Sequence, residues 1–289
     1  MKNKYALFHI NIAVLLFGVA GLFAKSIALP ALTITFGRVL FSAMTLLIVS
    51  TAGKSSLKLK SLRHFTYFII AGIILALHWW SFLYAIQLSS VAIGTIAFST
   101  FPIFVTLLSA IMFKEPWQKR QIIMCLLIIL GIILIVPAFS FENRDLQGLS
   151  VGLFSALTYA LLTLLNKYFS VHYSGMTISF YEQASSTVVL LPVLFLPTAA
   201  ITLHDIFLLI ILGVLCTALA HTLFISSLKS VSSHLAGMIS TLESVYSIFF
   251  AFLFLQEIPA IKEIAGALII TGTVIISQLI ESGGNQNGT

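Results

Sequence analysis

Ten apolar runs of membrane-crossing length follow one another along this chain. They lie at 5–24, 32–50, 65–86, 90–113, 121–138, 148–168, 176–196, 205–227, 232–255 and 262–280. About 20 apolar residues wound as an α-helix span the roughly 30 Å hydrocarbon layer of a bilayer. That layer offers no water to backbone N–H and C=O groups, and a helix satisfies them internally. The pattern therefore predicts an all-α polytopic membrane protein. A soluble chain carries about a quarter charged residues. Here 8% of residues are charged, 59% are hydrophobic and the mean hydropathy is +1.09.

The charges orient the runs. With the amino terminus in the cytoplasm, inside loops carry Lys2, Lys4, Lys54, Lys58, Lys60, Arg63, Lys114, Lys119, Arg120, Lys167 and Lys229. Outside loops carry Lys25, Arg144 and Lys262, with the acids Glu142, Asp145, Asp205, Glu257 and Glu263. Basic residues collect on the cytoplasmic side of short loops. An even span count keeps the bias consistent and puts both termini in the cytoplasm, so the expected location is the cytoplasmic (inner) membrane. The net charge of +6 is then a matter of topology and is no sign of nucleic acid. The run from Tyr5 lacks a convincing small-residue cleavage site and reads as a retained first span.

The halves resemble each other. Leu88-Ser-Ser-Val aligns with Leu228-Lys-Ser-Val, and Phe113-Lys-Glu-Pro with Leu255-Gln-Glu-Ile-Pro. Thr35, Arg38 and Ser42 align with Ser179, Glu182 and Ser186, and Gly131 falls near Gly272. The expected organisation is a first five-helix repeat at 1–139, an outside linker at 140–147 and a second repeat at 148–280. A disordered cytoplasmic tail follows at 281–289. Repeating an odd number of spans inverts the second copy. Inverted repeats are a recurrent plan of secondary transporters, with the substrate held near the midplane between the copies.

At this point the chain resembles the EamA-type permeases of the drug/metabolite transporter superfamily, over nearly its whole length. The five-plus-five plan carries the resemblance. So do Ser99-Thr-Phe-Pro-Ile-Phe-Val-Thr-Leu-Leu-Ser-Ala-Ile-Met-Phe-Lys-Glu and Thr241-Leu-Glu-Ser-Val-Tyr-Ser-Ile-Phe-Phe-Ala-Phe-Leu-Phe-Leu-Gln-Glu. These look like the family's fourth and ninth helices, ending at Glu115 and Glu257. The family often has Leu-Glu-Pro in the ninth; this chain has Leu242-Glu243-Ser244. The resemblance implies movement of small metabolites and adds spans one, four, six and eight to the cavity walls.

Three ionisable residues sit inside apolar runs: Arg38, Glu182 and Glu243. A charge at mid-bilayer costs roughly 2.5–3.5 kcal/mol on insertion scales, so such residues usually face a cavity or a partner. Glu243 lies near the middle of span nine on a stripe with Ser233, Gly237, Ser240, Ser244 and Ser247. The small residues also suit close helix packing, which accounts for glycine and serine but not for a glutamate. Glu243 is thus the expected central titratable residue, with His78 its neighbour in depth. Arg38 and Glu182 are expected nearer opposite mouths, about 12 Å apart in depth. The alternative for both is snorkelling to the headgroups. His221 joins them as a coupling or gating candidate. Trp79, Tyr84, Phe98, Tyr159 and Tyr246 are placed as walls for a flat substrate, with Ser240 beside Glu243. Pro102 is expected to kink span four and free carbonyls near the path.

Other chemistries find no support. Gly53-Lys54-Ser55 lacks the upstream glycine of a phosphate loop, since position 48 is Ile. Cys125 and Cys216 lie in separate apolar runs without metal-ligand spacing. No metal, cofactor or enzymatic motif is expected. The function read from the chain is a secondary active transporter, proton-coupled or exchanging, of a small metabolite such as an amino acid, by alternating access, with membrane lipid around it and room for a homodimer. The alternatives are a passive facilitator and a multidrug, vitamin or nucleoside permease. More distant ones are a membrane-embedded lipid enzyme and a non-transporting scaffold.

Overall fold

The computed structural model describes residues 2–53, 56–114, 118–135, 144–258 and 260–284. Glu115, Glu142, the first half of the expected linker and the last five residues lie outside that set. Every regular element among the described residues is helical. The first half holds α1 (Lys2–Ser26), α2 (Ala31–Ala52), α3 (Leu62–Leu88), α4 (Val91–Phe98), α5 (Phe101–Phe113) and α6 (Lys119–Ile135). The second holds α7 (Arg144–Ser170), α8 (Gly175–Leu190), α9 (Leu203–Gly213), α10 (Ala220–Leu228), α11 (Ser233–Ser240), α12 (Leu242–Leu255) and α13 (Ile261–Gly284). A 3₁₀ turn at Leu191–Phe195 follows α8, and a π-helical stretch at Val214–Leu219 joins α9 to α10.

Eight segments among the described residues are long and apolar enough to cross a membrane. They are Lys4–Ser26, Ala31–Ala52, Leu62–Leu88, Val91–Met112, Arg144–Ser170, Gly175–Phe195, Leu203–Leu228 and Ser233–Leu255. The chain is a multi-pass membrane protein. α6 and α13 stand outside this group, α13 with an apolar stretch of only Ile264–Ser277. These two helices pack on each other and otherwise on α4, α5, α11 and α12. They lie at the edge, with Leu126, Ile133, Leu268 and Leu279 exposed.

Spans four and nine are each broken. α4 and α5 part at Ser99 and Thr100, with Pro102 in the first turn of α5, where its missing N–H costs nothing. The kink expected from Pro102 is therefore a break just before it. Span nine, expected as one regular helix, breaks at Thr241 without any proline. Hydroxyls do the work there. Thr241 Oγ1 donates to the Met238 carbonyl at 2.7 Å, and Ser244 Oγ to the Thr241 carbonyl at 2.8 Å. Such side chains compete with the backbone ladder. Ser99 Oγ donates to Ser244 Oγ at 2.8 Å, so the two breaks meet.

The halves repeat more than this break. α5 ends at Lys114 and α12 at Gln256, both left-handed caps with φ near 55° and 57°. Left-handed caps usually fall to glycine, so two non-glycine ones at aligned places mark a shared design. Lys25, ending α1, donates to the Ser89 carbonyl at the end of α3. Lys167, near the end of α7, donates to the Leu228 carbonyl at the end of α10. Contacts between the halves also exchange. α3 packs on α7 as α10 packs on α1; α4 and α5 lie on α7 as α12 and α11 lie on α1. α3 meets α8 as α9 meets α2. The core lies where these pairs cross. One close approach is at Gly18, where an added Cβ would sit 2.5 Å from Tyr246 Cβ. The Gly18 carbonyl there accepts from Ser247 Oγ at 2.8 Å.

Candidate functional site

The crossing encloses a cavity of about 10 Å³, enough for roughly one water. α1 contributes Phe17 and Ala20, and α2 contributes Arg38. α3 supplies His78, Trp79 and Phe82, one helical turn on two sides; α4 supplies Phe98, α7 Tyr159 and α12 Glu243. An arginine and a glutamate thus share one cavity in a hydrocarbon-like interior, 1% and 5% exposed. The break at Thr241 puts Glu243 in the first turn of α12, where the helix dipole favours negative charge.

Arg38 is held from two sides. Its Nε donates to Thr217 Oγ1 at 3.1 Å, and its Cζ lies 3.9 Å from the Trp79 ring centre. Thr217 can accept because its own hydroxyl points to the Leu212 carbonyl, five residues back, at 2.8 Å. That longer step belongs to the π-helical stretch, a local irregularity often found at functional sites. Arg38 does not snorkel: it is buried and lines the cavity that Glu243 also lines. Among the described residues no hydrogen bond or ion pair joins Arg38 to Glu243, so both charges remain directed at the cavity.

His78 is fixed by Ser155. Its Nδ1 lies 3.0 Å from the Ser155 carbonyl and 2.9 Å from Ser155 Oγ, and its ring stacks on Tyr159 at 4.4 Å. The Tyr159 hydroxyl is buried without a hydrogen-bond partner at the cavity edge. Phe98 packs against His78 and Tyr159.

Glu182 stands in a second place. Its Oε2 is 2.8 Å from His221 Nε2, with both side chains 0% exposed, and Asn166 Nδ2 donates to the same oxygen at 3.5 Å. Glu182 does not snorkel either. The Trp79 ring meets the His221 ring edge-on at 5.6 Å. Trp79 thus touches both the cavity arginine and this pair.

The structure brings together Arg38, His78, Trp79, Phe98, Tyr159 and Glu243, and pairs Glu182 with His221 one aromatic ring away. Four expected residues lie elsewhere. Tyr84 is 38% exposed and stacks on Trp80. Pro102 packs against Gly237, and Ser240 Oγ donates to the Ala236 carbonyl. Tyr246 packs on Gly18. The serine stripe of span nine is therefore mostly packing and capping, with Glu243 the member that reaches the cavity. Phe17, Ala20 and Phe82 escaped the sequence reading. Phe82 carried a signal, being four residues after His78; Phe17 carried none among 24 phenylalanines.

A many-helix membrane protein whose halves close around a charged, aromatic-walled cavity has the build of a transporter. The chain belongs to the EamA-like transporter family, whose model matches residues 4–136 and 146–278, and so to the drug/metabolite transporter type. It is 26% identical over 246 residues to the Pseudopaline exporter CntI of Pseudomonas aeruginosa (strain UCBPP-PA14), covering 85% of each chain. It is 27% identical over 245 residues to the S-adenosylmethionine uptake transporter of Rickettsia bellii (strain RML369-C), covering 84% of this chain and 81% of that one. An uncharacterized transporter of Archaeoglobus fulgidus is 25% identical over 276 residues, 94% of this chain and 96% of its own. A solved crystal structure shares the fold, with a TM-score of 0.76 at 17% identity over 95% of this chain and 96% of that one. Family and relatives point to transport and away from an enzyme.

Proposed function

We propose that this protein is a secondary active transporter of small zwitterionic metabolites of the amino-acid type. The observation that carries this is Arg38 and Glu243 lining one buried cavity without pairing to each other. Arg38 offers a planar fork of donors for a carboxylate. Glu243 offers an acceptor for an ammonium group. The aromatic walls at Trp79, Phe82, Phe98 and Tyr159 offer an apolar face to the rest of the molecule, and the free Tyr159 hydroxyl adds a polar contact. The family relative named for S-adenosylmethionine fits this reading, since that molecule carries an amino-acid end.

The cavity holds about one water, so this conformation is closed. Loading requires the walls to part, and the facing breaks at Ser99–Thr100 and Thr241 are natural hinges, since hinges fall at element ends. In this reading ten spans form two inverted five-helix repeats at 1–139 and 148–280, in the cytoplasmic membrane, and exchange roles in alternating access. With no nucleotide motif found in the sequence, the cycle is driven by a gradient or runs passively, and this reading takes the gradient. The direct test is purified protein in sealed vesicles, assayed against labelled amino acids and S-adenosylmethionine with and without a pH gradient. Accumulation of a zwitterion under the gradient is the expected result. Accumulation only of compounds lacking one of the two charges would end this reading.

Topology has its own test. Single cysteines near Asn143 should react with a membrane-impermeant thiol reagent added outside, and those near Ser56 should not, in a background free of Cys125 and Cys216. The loop charges carry this expectation, and the reverse pattern of labelling would overturn the orientation.

A further inference from the structure

Resting on the transport reading above, we propose that the driving proton is carried by the Glu182–His221 pair, which acts on the substrate cavity through Trp79 and Arg38. This moves the proton away from Glu243 and leaves Glu243 to the substrate.

The pair is built as a buried proton site. A carboxylate and an imidazole lie 2.8 Å apart with neither side chain exposed. Two of their polar atoms, Glu182 Oε1 and His221 Nδ1, are buried without a hydrogen-bond partner, as is Asn166 Oδ1 beside them. Buried polar atoms are nearly always satisfied, and an exception calls for an explanation. A group that changes its proton inventory needs such spare positions. With one proton fewer the pair is a carboxylate beside a neutral imidazole, carrying net −1. With the proton added it is a carboxylate beside an imidazolium, or its neutral tautomer, carrying no net charge. Nothing else is consumed: the proton enters from the side of higher concentration and leaves to the other.

The surroundings make that difference felt at the cavity. The ionisable groups that face the pair are His78 of α3 and Tyr159 of α7. Arg38 of α2 bonds Thr217, four residues before His221, and itself faces Glu243 and Cys216. Lys167 of α7 is turned to the Leu228 and Val231 carbonyls. Arg38 is the permanent cation, and it and His221 both contact the Trp79 ring. In a low-dielectric interior charges interact over such distances far more strongly than in water. When the pair is net −1 it competes with a substrate carboxylate for Arg38. When the pair is neutral, Arg38 is free to bind that carboxylate. Proton and zwitterion therefore bind cooperatively, and by linkage binding of one must draw in the other.

The experiment uses full-length protein in detergent and in vesicles, with Glu182→Gln, Glu182→Asp, His221→Asn and Glu243→Gln beside the parent. A pH-indicator dye in weak buffer reports protons taken up when labelled amino acids or S-adenosylmethionine bind. The parent is expected to take up protons on binding. Glu182→Gln and His221→Asn are expected to bind and exchange substrate yet lose both that uptake and pH-driven accumulation, and Glu182→Asp to keep them. Proton uptake that persists in Glu182→Gln, or that vanishes only in Glu243→Gln, overturns the proposal. Should Glu182→Gln fail to fold, His221→Asn decides. If the parent binds no zwitterion, the transport reading fails by itself. The pair is then judged on the parent and Glu182→Asp alone, by infrared spectra at varied pH: carboxyl, carboxylate or imidazole bands that titrate and shift in Glu182→Asp support it, and spectra in which none of these bands changes with pH overturn it.

Discussion

Arg38→Gln should abolish substrate binding while leaving the protein folded, and Glu243→Gln should weaken the same binding. Truncating one partner of a buried, hydrogen-bonded charge pair costs about 2–5 kcal/mol, or roughly 30- to 5,000-fold in affinity. Arg38 belongs at the upper end. Its carboxylate partner would be the substrate, and no other cation lines the cavity among the described residues. Arg38→Lys should rescue poorly. A lysine keeps the charge, but loses the planar stacking on Trp79 and the fork that meets Thr217 and a carboxylate together. Equilibrium binding of labelled amino acids and S-adenosylmethionine in detergent checks this. Arg38→Gln binding as well as the parent would remove the cavity from the mechanism.

A large effect on stability is expected at Gly72. An added Cβ there would lie 2.4 Å from Ser185 Cβ, 2.9 Å from the Ser186 nitrogen and 3.0 Å from the Glu182 carbonyl oxygen. Two of those atoms are backbone and cannot rotate away. Overpacking a tight core costs about 1–3 kcal/mol, occasionally more. Gly72→Val also pushes apart the contact in which Ser186 Oγ donates to the Gly72 carbonyl at 2.7 Å. The same contact between α3 and α8 sets Glu182 in place, so loss of fold and loss of transport should come together. Gly272 is the control: nothing lies within 4 Å of a Cβ added there. Gly272→Ala should be neutral or slightly stabilising, since alanine is favoured over glycine in a helix by about 1 kcal/mol. Thermal unfolding in detergent, read by monodispersity, separates the two. A Gly72→Val protein as stable as Gly272→Ala would refute the packing argument.

Much was legible from the chain alone because it is set locally. Run length and backbone satisfaction dictate helices; loop lysines carry the expected orientation; ionisable residues in apolar runs, at Arg38, Glu182 and Glu243, mark the candidate places for chemistry. These follow from each residue and its near neighbours. The repeat was legible too, in the aligned helix ends at Lys114 and Gln256, which are both left-handed caps. What the chain did not determine is which side chains meet. Depth counting along straight helices put Arg38 and Glu182 near opposite mouths. Only packing between helices revealed that Arg38 turns inward over Trp79 to the cavity of Glu243, and that Glu182 finds His221 on another helix. The break at Thr241 escaped because it is made by hydroxyls, whose choice between solvent, ladder and neighbour depends on what lies across the interface. Tyr84 and Trp79 are five residues apart and equally aromatic, yet one faces outward and one lines the cavity. A helix face becomes a wall or a surface through what packs against it, and that is decided by the partner helix rather than by the sequence of the face.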